Sequence, residues 1–426
     1  MADSIASGAQ LLEALRDRPG GSELLALAGT GETDVALVGG AVRDMLLGRT
    51  PRELDVVVSE GAASLAEELA ESVRTATGQA PRVTVHERFG TAVVAWTGGC
   101  VDIAARRAES YPAPGALPEV RPGSVEEDLA RRDFTVNAIA MGLGGPRAGE
   151  LAHADHALED LAAGRLRVLH ELSFVDDPTR LLRMARYSSR LGFETEPHTA
   201  ELAAQALRAG ALETVSRARV GAELRLALGE ADPVAAFAAM DQLGVFAALE
   251  PRLRFDPDLA RSALALLPED GRADLLLLAS LLLPIAVDPS EDPEPVMFEL
   301  LDGWELTVAE RQRVMRTALV APSLDTEMEL ADMPSELYDA LFAHTIEAVA
   351  LGGALGNAGS EAREWIETLR HVQLQITGAD LLAAGIPTGP EIGRRLGAVL
   401  GRKLDGELED GPDAELRAAL EERGWA

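Results

Sequence analysis

The chain has 426 residues, 47% of them hydrophobic and only 4% aromatic, a length that allows roughly two to four domains and an apolar content that excludes overall disorder. Against 39 basic residues stand 70 acidic ones, and the net charge of −31 excludes indiscriminate nucleic-acid binding, leaving any such role to local clusters of arginine. A single cysteine, Cys100, excludes internal disulfides, and the longest apolar run, Leu275 to Val287, is too short and too interrupted by Pro284 to span a membrane; with no basic and apolar signal region at the start, a cytoplasmic protein is expected.

Residues 35 to 40, "VALVGG", predict a short buried strand ending in paired glycines, and "AVRDMLLG" a helix closed by Gly48. "ELDVVV" predicts a second strand, "GAASLAEELAESVRTA" an amphipathic helix, and "RVTVHERFGTAVVAW" alternates at strand period. "TGGC" predicts a two-residue hairpin turn into "CVDIAARR". Up to Pro146 the pattern is mixed α/β; beyond it Ala, Leu, Glu and Arg recur at helical spacing, and the rest is expected to be nearly all helical. A boundary is expected at Gly144, Gly145 and Pro146, and a Pro- and acid-rich linker at "DPSEDPEP" from Asp288.

Several clusters could carry chemistry. Gly39 and Gly40 end a strand and let backbone amides approach a ligand, while the following helix points its positive end there; Arg43, one turn on, could add forked donors to a triphosphate. Within "RELDVVV", Glu53 and Asp55 share a strand face, and Asp102 joins them if its strand pairs in the same sheet. Such acids are either solvated on an exposed edge or neutralised by a divalent metal, for which magnesium with phosphate oxygens is suited. In "VDDPTRLLRMARYSSRLGF", Asp176 or Asp177 can cap a helix with Pro178 at its first position, and Arg180, Arg183, Arg186 and Arg190 form one basic face. Asp177 and Arg180 could meet the Watson-Crick edge of a base. "DLARRDFTVNAIA", with Arg131, Arg132, Asp133 and Asn137, reads by spacing as a plain helix start. Near the end, Arg394, Arg395, Arg402 and Lys403 make a local positive patch suited to a nucleic-acid phosphate or to an interdomain contact. His153, Asp155 and His156 are not expected to bind metal, and no phosphate loop of the Gly-x-x-x-x-Gly-Lys type and no Gly-x-Ser-x-Gly elbow occurs.

Taken together, "LVGGAVRDMLLGRTPRELDVVV", "RRDFTVNAIA" and "DDPTRLLRMARYSSRLGF" resemble, in this order and spacing, the class II tRNA nucleotidyltransferases, that is the CCA-adding enzymes and their bacterial poly(A) polymerase relatives. The resemblance covers the first 200 residues, and "ITGADLLAAGIPTGPEIGRRLGAVL" resembles the tail motif of the same family. It implies an α+β fold: a polymerase-β-like head with a mixed sheet at 1–146, then an all-α neck at 147–212, body at 213–325 and tail at 326–426. It further implies that Gly40 and Arg43 touch the triphosphate, that Glu53 and Asp55 hold two Mg2+ ions with Asp102 assisting, and that Arg132 contacts nucleotide. Asp177 and Arg180 would select CTP or ATP, with Arg183 and Arg186 at phosphates or in the same pocket. The implied reaction adds C or A to the 3′ end of tRNA without a template and releases pyrophosphate. Glu53 departs from the aspartate usual in the family, and its extra methylene allows a slowed or metal-shifted site. The stretch from Ser59 to Ala92 is similar to the longer version in relatives adding only CC or only A, so full CCA addition, partial addition, poly(A) synthesis and a catalytically weak RNA-binding module all stay open. No HD-type phosphohydrolase signature is present, and no repair-phosphatase activity is expected.

Overall fold

The computed structural model describes residues 6–30, 34–86 and 90–422, so Glu87, Arg88 and Phe89, expected as part of an alternating strand, lie outside the described residues. The chain forms two compact units, Met1–Ser216 and Arg217–Ala426. Among the described residues no helix is long and apolar enough to cross a membrane.

The first unit holds, in chain order, α1 (Gly8–Arg16), α2 (Gly21–Gly29), β1 (Val35–Val38), α3 (Gly40–Leu46), β2 (Leu54–Val58), α4 (Ala62–Thr77), β3 (Arg82–His86), β4 (Thr91–Trp96), β5 (Gly99–Ala105), β6 (Arg107–Ser110) and β7 (Glu119–Pro122). There follow α5 (Val125–Ala130), β8 (Ile139–Gly142), β9 (Leu151–His153), α6 (Ala157–Ala163), α7 (Ser173–Asp176) and α8 (Thr179–Leu191). Among the described residues seven strands make one mixed sheet in the order β3-β4-β5-β2-β1-β8-β9, in which only β2 and β5 run parallel. β6 and β7 form a separate two-stranded hairpin. The expected turn is present, with Trp96 paired to Gly99 and the positive φ of +93° at Gly98.

Burial follows from side-chain period. Helix α4 buries Leu65, Ala66, Leu69, Ala70 and Val73, a stripe at helical spacing that packs on β4 and β5. On the sheet face toward α5, Val57 and Val38 meet Leu129, with Ala104 packed beside them. Two expectations change here. The sheet continues beyond Pro146, because β9 pairs antiparallel with β8 across an eight-residue connection; a three-residue edge strand is too short to show a period. Glu53 lies in a bend one residue ahead of β2 rather than within it.

The second unit is helical, with thirteen α-helices among its described residues. Of the stretch expected as a linker, 288–295, the first five residues are only the short connection between two packed helices, Ala273–Ala286 and Pro293–Gly303, and the last three begin the second of them. Its prolines and acids start the next helix: Asp292 caps it and Pro293 takes its first turn.

Candidate active site

Asp55 and Asp102 are neighbours because β2 and β5 pair with these two residues in register. Alternation places them on the face of Val57 and Ala104, while Val56 and Ile103 are buried on the other. One oxygen each of Glu53, Asp55 and Asp102 lies within 4.8 Å of the others. Burial first, then Glu53 and Asp102, push the Asp55 carboxyl up to about 7 against the pull of Arg132 and Arg43. Burial also raises the Asp102 carboxyl, partly offset by the Cys100 thiol, which donates to its Oδ1 at 3.9 Å. The donor set fits a divalent metal: three hard oxygen donors converge, and their mutual repulsion is of the kind a cation relieves.

Asp55 and Asp102 line a cleft of about 380 Å³, bounded also by Thr91, Arg107, Arg131 and Arg132. The arginines are set by Asp128, buried at the end of α5. Its Oδ1 accepts from Arg131 Nε at 3.0 Å and Nη2 at 2.8 Å, and its Oδ2 from Arg132 Nη2 at 2.9 Å. Although burial opposes its charge, Arg132 and Arg131 hold this carboxyl below the usual range. Gly39 has φ +68°, and a Cβ there would lie 2.7 Å from Arg132 Nη1, so a side chain at this turn would displace the guanidinium. Among the described residues the buried Nε of Arg132 has no hydrogen-bond partner. Gly40 opens α3, where a Cβ would meet Arg43 Nη2 at 3.4 Å.

Arg43 itself is 1% exposed. Its Nε and Nη2 donate to Asp44 Oδ1 at 2.8 and 2.7 Å, and its Nη1 to Asn137 Oδ1 at 2.5 Å. Asn137 Nδ2 donates in turn to Asp133 Oδ1 at 2.9 Å, which also takes the Phe134 amide at 2.8 Å. Asp133 Oδ2 accepts from Arg183 Nε and Nη2 at 2.9 and 2.6 Å, and Asp44 Oδ2 from Arg190 Nη2 at 3.3 Å. A closed chain of charged hydrogen bonds therefore joins α3, the turn around Asn137 and α8. Burial works against the Asp133 charge, yet Arg183 and Asn137 hold its carboxyl far below the usual range. Tyr187 sits among the same arginines, with the guanidinium carbons of Arg186, Arg43 and Arg183 at 4.8, 5.5 and 5.6 Å from its ring centre.

Asp177 precedes α8 and its Oδ1 accepts from the Thr179 amide at 3.1 Å and hydroxyl at 2.6 Å. Arg180, 3% exposed, donates from Nη1 to Ser173 Oγ at 2.5 Å and from Nη2 to the Arg131 carbonyl at 2.8 Å. Arg186 is 5% exposed. The basic face of α8 is thus largely turned into the protein, where acids from distant segments meet it.

The tail residues lie in the second unit. Arg394 pairs with Glu391, and Arg395 is buried, donating to Glu391 and to the Ala419 carbonyl at 2.6 Å. Arg402 faces Glu407 at 3.5 Å, and Lys403 Nζ lies 2.6 Å from Glu415 Oε1 and 2.9 Å from the Gln373 carbonyl. Acids before and after the stretch balance a charge that looks unopposed in the local sequence. Sequence reasoning had not singled out Asp44, Glu109, Tyr111, Asp128 or Tyr187, and gave Asp133 and Asn137 no role; the rarity of asparagine, two in the chain, was the one available signal.

Comparison with known proteins identifies the family. Residues 35–167 match the model of the poly A polymerase head domain. The A-adding tRNA nucleotidyltransferase of Geobacter sulfurreducens is 34% identical over 414 residues, 91% of this chain, although the chain spans only 45% of that protein's length. The CC-adding tRNA nucleotidyltransferase of Deinococcus radiodurans is 33% identical over 393 residues, covering 91% of this chain and 90% of that one. A solved structure, the Thermotoga maritima CCA-adding enzyme complexed with tRNA, superposes with a TM-score of 0.77 at 27% identity over 98% of this chain and 99% of that chain. With a mixed-sheet fold in its first unit and similarity to the Deinococcus protein over nine-tenths of both chains, the chain belongs to the tRNA nucleotidyltransferase family.

Proposed function

We propose that the protein adds C or A nucleotides from CTP or ATP to the 3′ end of tRNA, without a nucleic-acid template. The observation that carries this reading is the in-register pair Asp55 and Asp102, joined by Glu53 and opening on an arginine-lined cleft. In the reaction the 3′ hydroxyl of the tRNA attacks the α-phosphate, the bond to the β-phosphate oxygen breaks, and pyrophosphate leaves. Glu53, Asp55 and Asp102 would hold Mg2+, which when bound activates the hydroxyl and stabilises the leaving group. Arg132, set by Asp128 against Gly39, binds the triphosphate, with Arg131 and Arg107 along the same cleft. Gly40 keeps the turn bare, and Arg43 braces it from beneath through Asp44 and Asn137. Asp177 and Arg180 read the base, and Arg183 and Arg186 fix the helix that carries them. A head that extends past 146 to include β9, followed by a neck, body and tail divided at 212 and 325, belongs to this reading, as does a cytoplasmic setting. In the tail, Arg394 and Arg402 contact tRNA phosphates, and Arg395 and Lys403 act as internal ties.

The test uses purified protein with Mg2+ and three labelled tRNAs ending just before the first C, the second C and the final A, supplied with CTP, ATP or both. Extension of all three to CCA identifies a complete CCA-adding enzyme, and stops at CC or at a single A identify the partial ones. Long A tails identify a poly(A) polymerase. No extension with Mg2+ or Mn2+, or full activity of an Asp55→Ala variant, refutes the reading.

A further inference from the structure

The loop joining β6 and β7, "YPAPGALP" from Tyr111 to Pro118, has no part in the site so far. Three prolines stiffen it. Its midpoint, Gly115, is buried at φ +68°, and its amide donates to the Val175 carbonyl at 3.1 Å, two residues before Asp177. A Cβ on Gly115 would lie 2.2 Å from Thr214 Oγ1 and 2.6 Å from the Thr214 carbonyl, so the loop is seated against its neighbour as closely as a backbone can be. A second fastening starts at Tyr111, whose Oη donates to Glu109 Oε2 at 3.2 Å. Glu109 Oε1 accepts from Arg107 Nε at 2.9 Å and Arg131 Nη1 at 3.1 Å, and the Arg131 carbonyl accepts from Arg180 Nη2. Tyr111 is therefore linked through Glu109 both to the arginines of the carboxylate cleft and to Arg180.

We propose that Tyr111 is a nucleotide-positioning residue, its ring forming a wall of the place where Asp177 and Arg180 read the incoming base. The inference rests on the proposed function and extends it to a residue on another element. Two observations favour it over a packing role. The ring is half-buried rather than sealed in the core, and is held by a fastened loop rather than left mobile. The loop is tied to the Val175 carbonyl two residues before Asp177, and Tyr111 is linked through Glu109 and Arg131 to Arg180; burial pushes the phenol up to about 12, with Arg180 pulling the other way and Glu109 and Asp177 adding to the rise. An aromatic face stacks on any base, whereas a carboxylate and a guanidinium distinguish one edge from another. Tyr111 thus contributes affinity without choosing between cytosine and adenine.

The experiment compares wild type, Tyr111→Ala, Tyr111→Leu and Tyr111→Phe in single-nucleotide extension of tRNA and in equilibrium titration of CTP and ATP without tRNA. Loss of the ring in the Ala and Leu variants is expected to raise KM and Kd about tenfold for both nucleotides, with their ratio and kcat nearly unchanged, while Tyr111→Phe restores both constants. Leu keeps apolar bulk and secures a folded variant should Ala fail. Wild-type affinity in Tyr111→Leu, or a fall in kcat at constant KM, overturns the proposal. If wild type binds nucleotide but extends no tRNA, the proposed function falls and the titration still decides the role of Tyr111; a wild type that binds neither nucleotide ends both.

Discussion

Replacing Asp133 by asparagine tests the hydrogen-bonded chain between α3 and α8 at its centre. The carboxylate accepts four donors: the Phe134 amide, Asn137 Nδ2, and Nε and Nη2 of Arg183. An amide of the same shape has one oxygen, so whichever way it turns, two donors face an NH2 group. Two lost hydrogen bonds to a charged acceptor cost about 3 to 6 kcal/mol, and because Arg183 is partly exposed and regains water, the low end of about 3 kcal/mol is expected. At about 1.4 kcal/mol per decade, hydrogen-exchange protection in peptides spanning 131–143 should fall roughly 100-fold, with tail peptides as the control. The sign with pH follows from the lowered carboxyl of Asp133. Its contribution is complete above the unfolded value of about 4 and is lost as pH falls toward the folded one, so the gap between wild type and Asp133→Asn narrows below about pH 4. A loss of protection under about threefold at pH 7, or a gap that widens in acid, refutes the account.

Asp55→Asn removes a carboxyl whose folded value is raised to about 7, so metal-free wild type should lose stability as pH rises from about 4 to about 7, and the variant should not. Thermal unfolding at pH 8 with EDTA or Mg2+ checks this: Mg2+ should stabilise wild type and leave Asp55→Asn unmoved, and equal responses would sink the metal assignment. Gly39→Ala forces a side chain into φ +68° and against Arg132 Nη1, a strain of about 1–3 kcal/mol that should raise the KM for nucleotide about tenfold; an unchanged KM would remove Arg132 from the triphosphate site. Lys403→Met leaves buried Glu415 without its cation, and exchange protection around Gln375 and Ile376 should drop by the equivalent of about 2 kcal/mol. Weaker tRNA binding with intact protection would make Lys403 a phosphate contact instead of a tie.

How much of this could be read in advance depended on the sequence distance between partners. "VALVGG" and "DVVV" carry their own strand signals, and Trp96 to Gly99 its own turn, so the convergence of Asp102 on Asp55 needed only one assumption about pairing. Glu53 was legible as a partner of Asp55 but not as a bend residue, since the strand boundary falls one position later. Arg43 was not legible as a brace. An arginine in the first turn of a helix after paired glycines looks like a phosphate donor, and only the fold brings Asn137 beneath it. Arg180 and Arg186 read as part of one basic face for phosphate or nucleotide for the same reason, and Lys403 read as part of a positive patch because Glu415 belongs to the next helix.

The parallel pairing of β2 with β5 bears also on how the protein reaches its native state. The β4–β5 hairpin closes on itself through two residues and can form within about 1–10 μs, whereas β2 must wait for α4, β3 and β4 to be gathered before it meets β5. The three acids are therefore expected to come together late in folding, once the apolar face of α4 has packed on the sheet. A slip of β5 by one residue would turn Asp102 toward α4 and bring Ile103 opposite Asp55. Correct register and convergence of Asp102 on Asp55 are one event, because the pairing of β2 with β5 that closes the sheet also sets the two acids side by side.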